Sequence, residues 1–296
     1  MIPAAHIPLG GRKMAAGHCW WTVWDARACG RAGLRLCLAV LLLLASRALA
    51  IAGAWTLPPA QSEFWSTTTI ASAGSAFGPG YALQTGTAYT KVEQTIFGEM
   101  GMADGITVIL GSQFLAISVD GSRPSTYAGM GYTDFGARVR LWEDGGGIVS
   151  MQVIGRAPGA AGSANPAAIG YTQWEADFRL LAGFSFMLLG MPAFVDLQIA
   201  QRQRWGDPPD EARLDLTVGA EVAPGWKLMA QSFNVISEGA GTGPDFDLSY
   251  AYYKGQVAAL VEIDPHMRVG LAAFTTYLAR NFPQENGLVL WVNYRF

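Results

Sequence analysis

The sequence has no apolar run long enough for a membrane-spanning helix. Such a helix needs roughly 20 consecutive apolar residues, and the longest run, Leu36 to Ala45, is about half that length. Charge is also scarce. Only 15% of the 296 residues are charged, against 51% hydrophobic. The mean hydropathy of +0.22 is apolar for a soluble protein of this size. Cysteine and histidine are nearly absent: there are three of each, and beyond residue 50 only His266 remains.

The apolar run follows Arg27, Arg31 and Arg35 and is followed by Ala48-Leu49-Ala50. That basic, apolar and small-residue succession is the pattern of a secretory signal peptide, with cleavage expected after Ala50. The long basic region leaves a translation start at Met14 open, and a short buried helix over 34 to 52 is the alternative. Removing residues 1 to 50 takes Cys19, Cys29 and Cys37 away, none of them in a lipobox-like context. It leaves 14 basic and 22 acidic side chains, a net charge of −8. Such a chain has no disulfide, no thiolate-bound metal and no cysteine nucleophile, and its acidity argues against a nucleic-acid partner. One histidine, in the turn "DPHM", leaves no base for a serine hydrolase and no two-histidine zinc site. Neither an enzyme activity, nor a cofactor, nor a metal is therefore expected.

From about residue 61 onward the dominant period is two. In "EARLDLTVGAE", Glu211, Arg213, Asp215, Thr217, Gly219 and Glu221 share one face and Ala212, Leu214, Leu216, Val218 and Ala220 the other. Tight turns near Ala103-Asp104, Asp144-Gly145-Gly146, Ala223-Pro224-Gly225 and Asp264-Pro265, with a looser one near Leu189-Gly190, alternate with longer loops near 73–87, 120–129, 158–169, 203–210, 238–244 and 280–286. Short and long connections in alternation are the habit of a transmembrane antiparallel up-and-down β-barrel. Dividing the chain there predicts all-β structure of about twelve strands, at 61–72, 88–102, 105–118, 130–143, 147–157, 170–183, 192–203, 211–222, 226–237, 245–263, 266–279 and 287–296. Residues 51–60 are then a periplasmic N-terminal segment and 61–296 the barrel. The stretch 245–263 reads as one strand bulged near Lys254-Gly255 or as two; one keeps the count even.

The sequence ends in "LVLWVNYRF", which places Leu288, Leu290, Val292, Tyr294 and Phe296 on one face and Trp291, Asn293 and Arg295 on the other. Here the chain resembles the outer-membrane β-barrel proteins of Gram-negative bacteria. The resemblance implies location in the cell outer membrane, contact with its lipid and lipopolysaccharide, and recognition of Leu290, Val292, Tyr294 and Phe296 by the barrel-assembly machinery. "GAWTLPP", Gly53 to Pro59, resembles the opening of XagA-like outer-membrane proteins, which implies a link to exopolysaccharide and biofilm. A secreted β-sandwich would show the same alternation. Against it stand the loop asymmetry, the terminal Phe296 and aromatics near strand ends, namely Trp65, Tyr132, Trp142, Tyr171, Trp205, Trp226, Tyr277 and Tyr294, which suit interfacial girdles.

Loop acids Asp207, Asp210 and Glu211, with Glu238, Asp245 and Asp247, could hold Ca²⁺ or bridge lipopolysaccharide phosphates, but they lack ordered ligand spacing and read better as solvated charge. "DGGG" at 144–147 reads as a turn, since no strand-to-helix phosphate site follows. The interior is the remaining candidate. The phase of alternation sends Glu93, Glu99, Asp134, Arg138 and Arg140 inward from the first strands. Glu175, Asp177, Arg179, Asp196 and Arg202 follow, then Arg213, Asp215, Lys227 and Arg268. Either these charges line a water-filled, selective pore, or they neutralise one another and plug the barrel; twelve strands lie between the filled and the open regimes. The expected function is a passive channel or translocation pore for small polar solutes or an extracellular polysaccharide. The alternative is a plugged barrel acting through its loops as a surface, adhesion or biofilm protein.

Overall fold

The computed structural model describes residues 53–121, 124–242 and 246–296; the expected signal peptide, its cysteines and Asp245 lie outside them. The described chain is an antiparallel sheet closed on itself. Its strands are β1 (Ser62–Phe77), β2 (Leu83–Ala103), β3 (Ile106–Val119), β4 (Ser125–Asp144), β5 (Gly147–Pro158), β6 (Glu175–Leu188), β7 (Met191–Arg204), β8 (Glu211–Ala223), β9 (Trp226–Ser237), β10 (Ala251–Glu262) and β11 (Met267–Arg280). The two-residue β12 (Phe282–Pro283) and β13 (Asn286–Arg295) complete it. Each long strand pairs with its predecessor along the chain, except that β13 pairs with β11 and then with β1, in register from Glu63↔Arg295 to Ser72↔Asn286, while the short β12 pairs with β1. β1 in turn pairs with β2, so none of the twelve long strands is left as an edge. Closure satisfies every ladder inside a membrane, where an unpaired edge is not tolerated.

Connections at one end have two residues, or four in the case of 263–266; at the other they run from five residues to the sixteen of 159–174. The two-residue turns each contain a glycine with positive φ. Gly145 and Gly146 sit at +57° and +88°, which suits the twist of a two-residue hairpin. The β6–β7 turn achieves the same shape with Leu189 at φ +51° and Gly190 at +82°, Leu189 being 90% exposed. A leucine gains nothing there and strains its backbone. Leu189→Asn is therefore expected to raise stability by about 1 kcal/mol, read as a higher urea midpoint of the refolded protein.

The outer face is apolar. Leu110, Phe135, Ile199, Val257, Leu271 and Leu288 are all exposed there, while the side chains that alternate with them turn inward. On β13 this leaves Leu288, Leu290, Val292 and Tyr294 outside and buries Trp291 and Asn293. Trp142, Trp205, Trp226, Tyr277 and Tyr294 are exposed aromatics near strand ends. Trp65, Tyr132 and Tyr171 are not girdle residues. Trp65 shares its parity with Glu63 and lines the interior. Tyr132 is 3% exposed, beneath the Arg156 guanidinium and against the Tyr171 ring. Several boundaries also move: β1 and β2 run on into the expected 73–87 loop, β4 begins at Ser125 inside the expected 120–129 loop, the strand expected from 170 begins at Glu175 after a 3-10 turn over Pro166–Tyr171, and β10 begins at Ala251. A single strand does occupy the 245–263 region, with its irregularity at Tyr253/Lys254.

Candidate functional site in the barrel interior

The inward side chains form three zones. Midway and toward the long-loop end, β4 to β8 carry a two-dimensional array of ion pairs. Cross-strand neighbours are complementary: Arg156 faces Glu175, Glu175 faces Arg204, Asp177 faces Arg202 and Arg202 faces Glu211. Arg156 donates to Glu175 at 2.7 Å and to Asp134 at 3.0 Å, and Arg204 donates to Glu175 at 2.9 Å. Arg179 donates to Asp177 at 3.1 Å and to Asp215 at 2.6 Å; Arg202 reaches Asp177 at 3.1 Å. Arg213 lies 3.7 Å from Glu211. Five guanidiniums thus meet five carboxylates, Asp134, Glu175, Asp177, Glu211 and Asp215, with no net charge. Buried charges persist only where partners of this kind replace water.

At the long-loop end the interior is capped. Phe282 stacks on Tyr252 with centroids 4.2 Å apart, and Glu285 bonds with Tyr89 and Lys254. The 3-10 turn Pro166–Tyr171 buries Ala167 and Ala168 and brings Tyr171 to Tyr132.

At the short-turn end the chain ahead of β1 runs inside the barrel. Ala54 N–H donates to Asp196 Oδ2 at 2.9 Å, and Ser150 Oγ donates to the Ala54 carbonyl at 2.6 Å. Arg138 donates to the Trp55 carbonyl at 2.8 Å and to Glu99 at 2.6 Å, and Leu57 N–H donates to Thr107 Oγ1 at 2.8 Å. The Trp55 indole meets Phe194 edge-on at 6.4 Å and joins an apolar cluster containing Met229, Leu260 and Trp291. Gly183 makes room for it, because a Cβ there would run into the indole. On the rim, Arg140 pairs with Asp104 and Glu143, and Arg295 with Glu63 at 2.7 Å. Arg268, 2% exposed, is 3.9 Å from Glu63, and Lys227 points inward from β9.

Between these zones lies a cavity of about 1420 Å³. It reaches from Thr69 and Glu93 down to the Asp144–Gly147 turn, past Trp55 and Pro58. No described residue of the six longer connections lines it. Carboxylates outnumber cations around it, since Arg138, Arg140 and Arg295 are the basic lining residues and Glu63, Glu93, Glu99, Asp196 and Asp215 are among the acidic ones.

Of the charged residues that alternation sends inward, Glu93, Glu99, Arg138, Arg140, Asp196 and Asp215 line the cavity, whereas Asp134, Glu175, Asp177, Arg179, Arg202, Arg213, Lys227 and Arg268 turn inward without lining it. Sequence reasoning missed Arg156, Arg204, Lys254, Glu285 and the Gly53–Gln61 segment. Glu211, read as loop charge, is instead 7% exposed and bonded to Tyr250 and Arg204, because β8 begins with it. Among the described residues no group of acids, histidines or cysteines could hold a metal. His266 sits in the β10–β11 turn with Nδ1 3.0 Å from the Arg295 carbonyl.

Among solved structures, the chain superimposes on the COG4313 outer membrane channel from Pseudomonas putida F1 with a TM-score of 0.70, over 84% of this chain and 100% of that one, at 16% identity. The fold is that of an outer-membrane β-barrel. Looser likenesses link this barrel to the translocator domain of the autotransporter NalP from Neisseria meningitidis (TM-score 0.46, 12% identity, 91% and 97% coverage) and to the NanC porin (0.46, 8%, 77% and 98%). No protein-family model and no curated protein sequence matches the barrel.

Proposed function

We propose that this protein is a gated channel of the Gram-negative outer membrane that passes small polar solutes. The observation that carries the proposal is the arrangement of the lumen. Its wall charges are spent on one another, yet a continuous cavity of about 1420 Å³ remains, narrowed by the segment Gly53–Gln61 rather than filled by wall side chains. That segment is held by side-chain hydrogen bonds and by the packed Trp55 indole and lies outside the strand ladders, so it is the part of the interior that moves without opening the sheet. The excess of carboxylates in the lining favours cations over anions.

Planar-bilayer recording tests this, comparing the protein from Ile51 to Phe296 with a variant beginning at Gln61, each first shown to be folded by heat-shifted gel migration. Discrete cation-preferring steps, larger in the shortened variant, are the expected result. Equal conductance in the two would remove the segment from the gating role, and silence in both would remove the channel. One observation favours a second reading, a surface protein acting through its loops: the long-loop end is capped by Phe282, Glu285 and the 166–171 turn. On that reading, deleting residues 159–169 abolishes attachment and leaves permeability unchanged.

A further inference from the structure

The charged wall on β4 to β8 faces a different surface across the lumen. There β1, β2, β8, β9 and β10 line the cavity with the uncharged Thr67, Thr69, Thr95, Thr217, Gln231 and Gln256, interrupted by Glu93, which stands opposite Thr69, and by Asp215, which Arg179 holds. They form a chain of amides and hydroxyls: Gln256 donates to Gln231 at 2.7 Å, and Gln231 donates to Thr217 at 3.2 Å. Much capacity is left over. Gln256 keeps its carbonyl oxygen and its second N–H, and the Thr67 and Thr69 hydroxyls each offer a donor and an acceptor. Toward the short turns the lining becomes aromatic, with Trp65, Phe97 and Trp291, and Phe233 flanks Gln231 on the long-loop side.

We propose that this half of the lumen is a binding site for a neutral, hydroxyl-rich solute of the small-saccharide class. The proposal rests on the channel reading and names its cargo. A sugar ring has apolar C–H faces and a polar edge of hydroxyls that both donate and accept. Aromatic side chains take up the faces, and amides and hydroxyls answer the edge without any net charge. An anionic solute is disfavoured, since Arg138, Arg140 and Arg295 are each held by a carboxylate and the lining carries more acids than bases. The cavity exceeds the roughly 300–1,000 Å³ of a usual small-molecule pocket, which leaves room for more than one ring.

The test is equilibrium binding to the folded full-length barrel in detergent, followed by tryptophan emission, because Trp55, Trp65 and Trp291 all border the site. Maltotriose, glucuronate and spermidine serve as neutral, anionic and cationic probes. Saturable quenching by maltotriose is expected, with glucuronate weaker and at least about fivefold loss of maltotriose affinity in Thr67→Val/Thr69→Val, whose side chains keep their shape and lose hydrogen bonds. Gln256→Met is the second variant should the first misfold, and the same loss is expected of it. Binding of spermidine or glucuronate without maltotriose would overturn the proposal, as would maltotriose binding that ignores both variants. Because no current is measured, saturable maltotriose binding by a barrel that is silent in bilayers would keep this site while discarding the channel.

Discussion

Replacing Glu175 by glutamine is expected to destabilise the barrel by about 3–5 kcal/mol, the largest effect of any single interior change. Glu175 is 3% exposed and receives Arg156 and Arg204 while Arg202 approaches within 3.5 Å. The amide preserves the shape of the carboxylate but leaves the array with one more cation than anion. Breaking a buried pair from one side costs far more than the intact pair contributes, because the surviving charge keeps its desolvation penalty and loses its compensation. Arg140→Gln is the control. Its partners Asp104 and Glu143 lie at the rim with side chains 83% and 49% exposed, so its loss is expected to cost no more than about 1 kcal/mol. Urea midpoints of the refolded proteins in lipid vesicles measure both. A Glu175→Gln shift as small as that of Arg140→Gln would mean that the array is hydrated and only loosely coupled.

The second large effect is expected from Arg138→Gln, on conduction. Arg138 is 4% exposed and does two things at once: it neutralises Glu99, and it holds the Trp55 carbonyl. Glu99 stands directly opposite Glu63 across the β1–β2 ladder. Like charges in that position repel unless each has its own counter-charge, which Arg138 and Arg295 supply. Without Arg138, Glu99 loses its own counter-charge while Arg295 and Arg268 remain on the Glu63 side, and the Gly53–Gln61 segment loses its charged anchor. Single-channel conductance is expected to rise several-fold and the reversal potential in a salt gradient to move toward cation selectivity. Arg140→Gln should move neither by more than a small fraction of that. If the two substitutions behave alike, the constriction at Arg138 is not where selectivity is set.

Period-two alternation made most of the sheet legible, because a lipid-facing side chain and an inward-facing one differ sharply in polarity at each step. Even the irregularity at Lys254 left a trace in the flanking Gly255. Parity was harder to read at aromatic positions. Trp65 and Tyr132 suit a girdle by composition, and only their register with Glu63 and Asp134 turns them inward. Charges at strand ends were also hidden, since Arg204 and Glu211 flank a loop and read as solvated until β7 and β8 are seen to extend to them. The Gly53–Gln61 segment was the least accessible part of the site. Its partners Thr107, Arg138, Ser150 and Asp196 lie 50 to 142 residues away in sequence, and "GAWTLPP" has no periodicity that would announce a place inside a barrel.

The ladder between β1 and β13 also constrains the order in which this molecule can be made. It joins residues as much as 232 apart, such as Glu63 and Arg295, so it is the most non-local contact in the sheet and the slowest to find. Gly53–Gln61 leads directly into β1, and it is bonded to β3, β4, β5 and β7 from the inside. The partners of the segment therefore all lie on the concave side of the sheet that the seam closes, so seating the segment and closing the seam engage the same strands. If the segment is the proposed gate, a barrel that closes with it seated starts in its narrowed state.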